Sequence, residues 1–112
     1  MKPYFEKSLI KDLKNLAALP NDLQKEKFQL HAYYDNKKNI IKIEYLYVPV
    51  EFRRYGYATR FIESILTLSD FYKVNTIIEP SEDFGLNIQT LEKIYTKWGF
   101  VKTQSNYMIY EP

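Results

Sequence analysis

The sequence lacks cysteine and has a single histidine, and these two shortages exclude several kinds of site. Without cysteine there is no disulfide, no thiolate metal site and no cysteine nucleophile. A metal site of several imidazoles, or a serine–histidine triad, would have only His31 to draw on. We therefore expect neither a metal cofactor nor a disulfide framework.

Long apolar runs and a strong excess of one charge are also missing. No stretch approaches the roughly 20 apolar residues of a membrane span, and residues 1–6 lack the apolar run of a signal peptide. A net charge of +2 is too mild for a dedicated nucleic-acid binder. We expect a cytoplasmic protein that contacts neither membrane nor nucleic acid.

The residues that are present indicate one globular domain. The chain has 112 residues, of which 46% are hydrophobic and 17% aromatic, so one core rich in Tyr and Phe is expected. Apolar residues at helical spacing predict helices over residues 8–18, 57–72 and from 86 or 87 to 98, with a short helix over 21–27. In the helix that ends at residue 98, the inward side would carry Ile88, Leu91, Ile94, Tyr95 and Trp98, and Gly99 would cap its end. Alternating or β-branched segments predict five strands, over residues 28–34, 40–48, 74–79, 100–104 and 107–110.

This order of elements predicts the fold class. The first two strands form a hairpin, as do the last two, and the stretch from residue 40 to 79 has the length of a parallel βαβ crossover. We expect a single α+β, or mixed α/β, domain over residues 1–112, with an N-terminal helical segment over 1–27 and a core over 28–110. In the second strand, simple alternation puts Glu44 on the same face as Leu46 and Val48.

One loop combines the features of a phosphate site. It follows a strand, opens a helix and is basic, with the sequence Arg53-Arg54-Tyr55-Gly56-Tyr57-Ala58. A helix N-terminus offers unpaired N–H groups and the positive end of the helix dipole, which favour an anion. Gly56 and the small Ala58 let the backbone approach a ligand closely, while the arginines add charge-assisted bonds. The glycine pattern is neither that of a dinucleotide fold nor that of a Walker A loop.

This loop resembles the pyrophosphate loop of the GNAT superfamily of N-acetyltransferases, Gln/Arg-x-x-Gly-x-Gly/Ala, with Arg53, Gly56 and Ala58 at its three fixed positions. A second segment, Tyr95-Thr96-Lys97-Trp98-Gly99-Phe100, resembles the Tyr-x-Lys-x-Gly-Phe segment of the same family. The two segments stand in the family's order, and the resemblance covers residues 28–110. It implies a central mixed sheet with flanking helices and a βαβ core that binds acetyl-CoA.

The resemblance also implies roles for individual residues. The cofactor would lie between two parallel strands that splay apart, its pantetheine arm along Leu46, Tyr47 and Val48. Its pyrophosphate would meet the loop through Arg53, Arg54, Tyr55, Gly56, Tyr57 and Ala58. Tyr95 matches the general acid that protonates the departing thiolate. Asn87 stands one residue from the position where family members often carry a cofactor-binding Asn.

The base that accepts a proton from the amine stays open between three candidates: Glu44, Glu79 and a water relay. The pKa of Glu44 would be raised if that carboxylate were buried beside tyrosines, and otherwise Glu44 pairs with a lysine on the surface. Because it lies mid-strand, His31 reads as a packed or surface histidine. The chain has about five predicted strands where the family usually has six or seven, so part of the substrate wall would be missing.

The expected activity is transfer of an acetyl group to an amine, either a protein lysine or a small molecule, with a homodimer left open. The short N-terminal part and the carboxylates Glu82 and Asp83 favour a protein amine, as does a likeness in size and layout to very small phage-encoded acetyltransferases. Two alternatives belong to other classes: a catalytically silent module of this fold that binds acetyl-CoA or a protein partner, and an unrelated interaction domain.

Overall fold

The helices and strands begin and end close to where hydrophobic periodicity predicts them. The computed structural model describes residues 3–16, 29–48, 56–81 and 86–112. In chain order, these residues form α1 (Pro3–Leu16), β1 (Gln29–Asp35), β2 (Ile40–Tyr47), α2 (Tyr57–Tyr72), β3 (Asn75–Ile78), α3 (Ile88–Lys97), β4 (Val101–Lys102) and β5 (Met108–Tyr110). The short helix expected over 21–27 lies outside the described residues.

The five strands form one mixed sheet in the order β1-β2-β3-β5-β4. Strands β2 and β3 are parallel and are joined through α2, while β1 pairs with β2, β3 with β5 and β4 with β5 in antiparallel fashion. The predicted strand count, both hairpins and the βαβ crossover are therefore confirmed. The fold class is α+β with a mixed sheet and three helices among the described residues.

A β-bulge in the first hairpin changes which residues of β2 share a face. His31 lies opposite Tyr45 and Ala32 lies opposite Ile43, so Glu44 is an extra residue without a position of its own in the register. An extra residue reverses the alternation beyond it. Ile41 and Ile43 before the bulge are buried, as are Leu46 and Val48 after it. The prediction that Glu44 shares a face with Leu46 and Val48 is wrong, because simple alternation does not continue through a bulge.

The core lies on one face of the sheet, which we call the inner face. Its buried sheet residues are Ala32, Tyr34, Ile41, Ile43, Leu46, Ile78 and Met108, and they form one cluster with residues of all three helices. Leu9 and Leu13 come from α1, Phe61, Ile62 and Ile65 from α2, and Leu91 and Tyr95 from α3. On the opposite, outer face, which carries His31, Tyr33, Lys42, Tyr45, Ile77 and Ile109, none of the described residues is buried.

Two hydrogen bonds tie α2 to neighbouring elements, and a left-handed glycine follows α3. The Tyr72 hydroxyl at the end of α2 donates to Asp12 Oδ2 of α1 at 2.7 Å, and the Tyr110 hydroxyl donates to Asp70 Oδ1 at 2.6 Å. Gly99, with φ +102°, follows the end of α3 as its sequence position predicts. Ile88, however, is 42% exposed, so the prediction that it faces inward is wrong, because the first turn of α3 extends past the core.

Candidate active site

The two parallel strands stop pairing before β2 ends. Their register runs from Ile40 opposite Asn75 to Ile43 opposite Ile78, whereas β2 continues to Tyr47 in register with β1. The last described row of the parallel ladder therefore lies at the bulge. Beyond that row, the carboxyl end of β2 is adjacent to the N-terminus of α2 and to α3. The carboxyl end of a parallel sheet is where α/β folds commonly bind ligands.

A cavity of about 250 Å³ lies at this place. It is lined by Leu46, Val48, Gly56, Ala58, Thr59, Leu86, Leu91, Ile94, Tyr95 and Trp98. The end of β2, the start of α2 and one side of α3 each contribute to the wall. Except for the Thr59 and Tyr95 hydroxyls and the Trp98 indole N–H, its side chains are apolar or, at Gly56, absent. The cavity is suited to a flexible, weakly polar chain that needs few directional contacts.

Gly56 begins the helical side of the cavity with a left-handed backbone. Its φ of +73° and ψ of 23° are favourable for glycine, and among the described residues other than its chain neighbours no atom lies within 4 Å of the position that a Cβ would occupy. Gly56 is the N-cap of α2, and its carbonyl accepts the first helical hydrogen bond, from the Arg60 N–H at 3.0 Å. The first turn has no acidic residue, and the Arg60 guanidinium lies 5.0 Å from the centre of the Tyr57 ring. The local charge favours an anion.

Tyr95 provides a buried hydroxyl on the other wall. The residue is 1% exposed, and its hydroxyl oxygen has no hydrogen-bond partner among the described residues. Burial raises the pKa of Tyr95 well above its ordinary value, so the phenol stays protonated at neutral pH. Its ring lies 5.9 Å from the Trp98 ring and 6.2 Å from the Phe100 ring, which holds it in place. A buried, unpaired O–H that lines a cavity can donate to a ligand there.

The structure brings together five of the residues expected at the site. Leu46, Val48, Gly56, Ala58 and Tyr95 all line the cavity. Tyr47 and Tyr57 are neighbours in sequence of lining residues, but they are not in the wall. Arg53, Arg54 and Tyr55 lie outside the described residues, as do Glu82 and Asp83, so their expected roles stay predictions.

Asn87 has a structural role at the start of α3. Its side-chain oxygen accepts a hydrogen bond from the Thr90 N–H at 2.8 Å, which is the geometry of a helix N-cap. It is not one of the residues that line the cavity. The cap accounts for an Asn at this position, and the expected cofactor contact of Asn87 stays a prediction.

Glu44 is not where the sequence prediction put it. It is exposed on the outer face, and its Oε1 lies 3.4 Å from Nδ1 of His31 rather than beside a lysine. Of the two alternatives for its carboxylate, burial beside tyrosines is therefore wrong, and the surface pairing is found with His31 in place of a lysine. Glu79, the other candidate base, follows β3 and is exposed as well.

Sequence reasoning assigned Leu91, Ile94 and Trp98 of α3 to the core alone. Leu91, Ile94 and Trp98 do face inward as predicted, yet they also line the cavity beside Tyr95. Their spacing along the helix places all four on one side, and that pattern alone does not distinguish a core contact from a cavity wall. Thr59 and Leu86 line the cavity without any sequence signal that we can identify.

Comparison of the chain with family models, with curated proteins and with solved structures finds no match. In the part of the chain that the structure describes, no helix combines the length and apolarity needed to cross a membrane. Within the same residues there is no group of three or more His, Asp and Glu placed to hold a metal ion.

Proposed function

We propose that the chain is an acetyl-CoA-dependent N-acyltransferase of the GNAT type. The observation that carries the proposal is the cavity at the end of the parallel ladder, which joins the Gly56 helix start to the unpaired Tyr95 hydroxyl. These are the residues for which the two sequence motifs imply cofactor and acid roles. That residues of both motifs line one cavity supports the proposal.

The residues present fit acetyl-CoA as a co-substrate. Leu46 and Val48 offer an apolar wall to the pantetheine arm, and the open space at Gly56 leaves room for a pyrophosphate at the α2 N-terminus. Arg60 adds a positive charge in the first turn, where the Arg60–Tyr57 contact also presents an aromatic ring to the nucleotide. The cofactor supplies an acyl thioester that an amine attacks.

Tyr95 would supply the proton that the thiolate needs when the carbon–sulfur bond breaks. Because its pKa is raised, the phenol is a weaker acid than an exposed tyrosine and does not lose its proton before the reaction. The departing thiolate is a stronger acceptor inside an apolar cavity than in water, since burial disfavours the charged form. A buried O–H without another partner is free to make this bond.

The acceptor is an amine, either a lysine of a protein or a small molecule. A protein lysine is favoured by the likeness in layout to small phage-encoded acetyltransferases. Reaction in the cytoplasm would give access to both acceptors and to acetyl-CoA.

One observation favours a second candidate, a silent module that binds acetyl-CoA without turnover. None of the described residues that line the cavity is a carboxylate or an imidazole. A base would have to act from another surface or through water, and without one only binding would remain.

The test of cofactor binding uses a matched pair of substitutions at Gly56. Gly56→Asn and Gly56→Asp add side chains of nearly equal size, both tolerant of a left-handed backbone, into open space. We expect Gly56→Asp to weaken acetyl-CoA binding by roughly 100-fold or more, since placing like charges together costs several kcal/mol. Gly56→Asn should retain most of the affinity, as measured by isothermal titration calorimetry.

If Gly56→Asp binds acetyl-CoA with the same affinity as the wild type, the loop at Gly56 is not the phosphate site. Thiol release with a panel of amines and a lysate, followed by mass spectrometry of acetyl-lysine, then separates the enzyme from the silent module. Binding without release of thiol for any acceptor would favour the module.

A further inference from the structure

An imidazole, a carboxylate and two phenol rings meet on the outer face at the β-bulge. His31 Nδ1 lies 3.4 Å from Glu44 Oε1, and the His31 ring lies 6.2 Å from the Tyr33 ring and 6.3 Å from the Tyr45 ring. The His31 and Glu44 side chains are 51% and 40% exposed. We call these four residues the outer cluster. His31 and Glu44 are exposed to solvent, whereas Tyr95 is buried.

The bulge puts the outer cluster next to the cavity but on the other side of β2. Glu44 and Tyr45 both lie beside His31, while Leu46, the next residue, is buried on the inner face and lines the cavity. The parallel ladder ends one residue earlier, at Ile43 opposite Ile78. His31 itself is on β1, and its contacts with Glu44 and Tyr45 place the imidazole against the outer side of β2, just beyond the last row of the parallel ladder.

The contact between His31 and Glu44 has a chemical consequence. A carboxylate beside Nδ1 favours the tautomer that carries its proton on Nδ1, which leaves the Nε2 lone pair to accept a proton. A base oriented by a carboxylate is a recurrent arrangement in proton-transfer sites. The cavity wall itself lacks such a base among the described residues.

We propose that His31, oriented by Glu44, accepts the proton of the incoming ammonium, so that the acceptor amine reaches the thioester from the outer face. This inference rests on the proposed acetyltransferase function and adds the proton acceptor and the side of approach. Glu44 is then a positioning residue, and His31 is the group that touches the acceptor. The Tyr33 and Tyr45 rings flank the ammonium, which aromatic faces attract.

The protons balance across the two faces. His31 Nε2 removes one proton from R–NH₃⁺, and the neutral amine forms a bond to the thioester carbon. The carbon–sulfur bond then breaks, and Tyr95 gives its proton to the thiolate. The nitrogen still carries two protons, and it loses one of them to the Tyr95 phenolate as the amide forms. The products are the acetylated amine and the free thiol, and His31 releases the first proton to solvent.

The charged neighbours of His31 are few. On its own face Glu44 is in contact, the phenols of Tyr33 and Tyr45 flank it, and Lys42 lies opposite Tyr33. Continued alternation from Ile77 puts Glu79 on this face beyond the ladder's end. The described residues place no helix over this face. The carboxylates Glu44 and Glu79 suit a cationic acceptor, while Lys42 lies on the side away from the cavity.

The test uses His31→Ala, Glu44→Ala and the matched control Lys42→Ala, which truncates another residue of the outer face. With an amine that the wild type acetylates, His31→Ala should lower kcat/KM by about 100-fold, the scale of losing a positioned base. Added imidazole should restore part of that rate, and the acidic limb of the pH profile should disappear. Lys42→Ala should stay within about threefold, and acetyl-CoA affinity should be unchanged in every variant.

Because the chain has one histidine, its imidazole gives a unique signal in protein labelled with ¹⁵N-histidine. We expect the Nδ1–H tautomer in the wild type and a mixture in Glu44→Ala. If His31→Ala acetylates the amine as fast as the wild type does, His31 is not the base. The same follows if its rate is lowered but added imidazole does not restore any of it. Either result overturns the role of His31 and leaves the proposed function in place. A wild type that neither binds acetyl-CoA nor acetylates any amine would overturn the proposed function and this role together.

Discussion

At the scale of single residues, Tyr95 is where packing and chemistry make opposite demands. A hydroxyl buried without a partner destabilises the folded state, because in the unfolded chain water makes hydrogen bonds to that hydroxyl. A phenylalanine would fill the same space at lower cost. Retention of the O–H at this position therefore fits a role outside packing, namely donation to a group bound in the cavity.

We expect Tyr95→Phe to lower turnover by about 100-fold, the scale of losing a positioned acid, with little change in acetyl-CoA affinity. Its free energy of unfolding should stay equal or rise, because the substitution removes an unpaired buried hydroxyl. Steady-state kinetics and urea denaturation give the two quantities. The matched control is Tyr107→Phe at a phenol that is 38% exposed, where neither quantity should move. Undiminished turnover in Tyr95→Phe would leave Tyr95 as a packing residue only.

At the scale of elements, the first helix is held to the second by a contact that spans 60 residues. The Tyr72 hydroxyl of α2 donates to the Asp12 carboxylate of α1 at 2.7 Å, in a partly buried position. The same hydrogen bond is the main reason that the pKa of Tyr72 is raised. Neither residue lines the cavity, so the contact serves the fold rather than the site.

Tyr72→Phe should lower the free energy of unfolding by about 1 kcal/mol or somewhat more, since the lost bond has a charged acceptor. A double-mutant cycle with Asp12→Ala should give a coupling energy of similar size. Acetyl-CoA affinity should not change. Strictly additive effects of the two substitutions on urea unfolding would mean that this bond does not tie the helices together.

At the scale of the whole molecule, four of the tyrosines whose side chains the structure describes have raised pKa values. Burial is the main cause for Tyr34 and Tyr95, and hydrogen bonds to aspartates are the main cause for Tyr72 and Tyr110. In each case the folded protein holds the phenolic proton more tightly than the unfolded chain does. Their contribution to stability is complete below the ordinary tyrosine pKa of 10.0 and is lost as the pH rises toward the folded values.

We therefore expect the protein to lose stability steeply above about pH 10. Ultraviolet absorbance should register ionisation of the exposed tyrosines first. The remaining tyrosines should ionise together with the loss of circular dichroism, because unfolding exposes them. Tyr95→Phe should make the decline of stability with pH shallower. Ionisation of all eleven tyrosines before any change in circular dichroism would contradict this account.

Much of the fold was predictable because its signals are local. Apolar spacing of 3.6 residues predicted α2 and the inward side of α3, and five strands were expected where five are found. The start of α1 was missed by five residues, although Pro3 carries the signal, since proline is favoured in the first helical turn. Three residues of the candidate site, Gly56, Ala58 and Tyr95, also followed from two short motifs, and Leu46 and Val48 followed from the strand before the first motif.

By itself, the sequence determined the order and type of the elements, the left-handed positions at Gly56 and Gly99, and the inward side of Tyr95. Only the tertiary structure decided the faces of β2 beyond Ile43, the contact of His31 with Glu44 and the cavity itself. The physical reason is the separation along the chain between the residues that decide each feature. Helical spacing and glycine conformations depend on neighbours along the chain, whereas a bulge depends on how two strands pair. One extra residue at Glu44 reversed the later side chains of β2, so that Leu46 and Val48 are in the core while Glu44 stays on the outer face with Lys42.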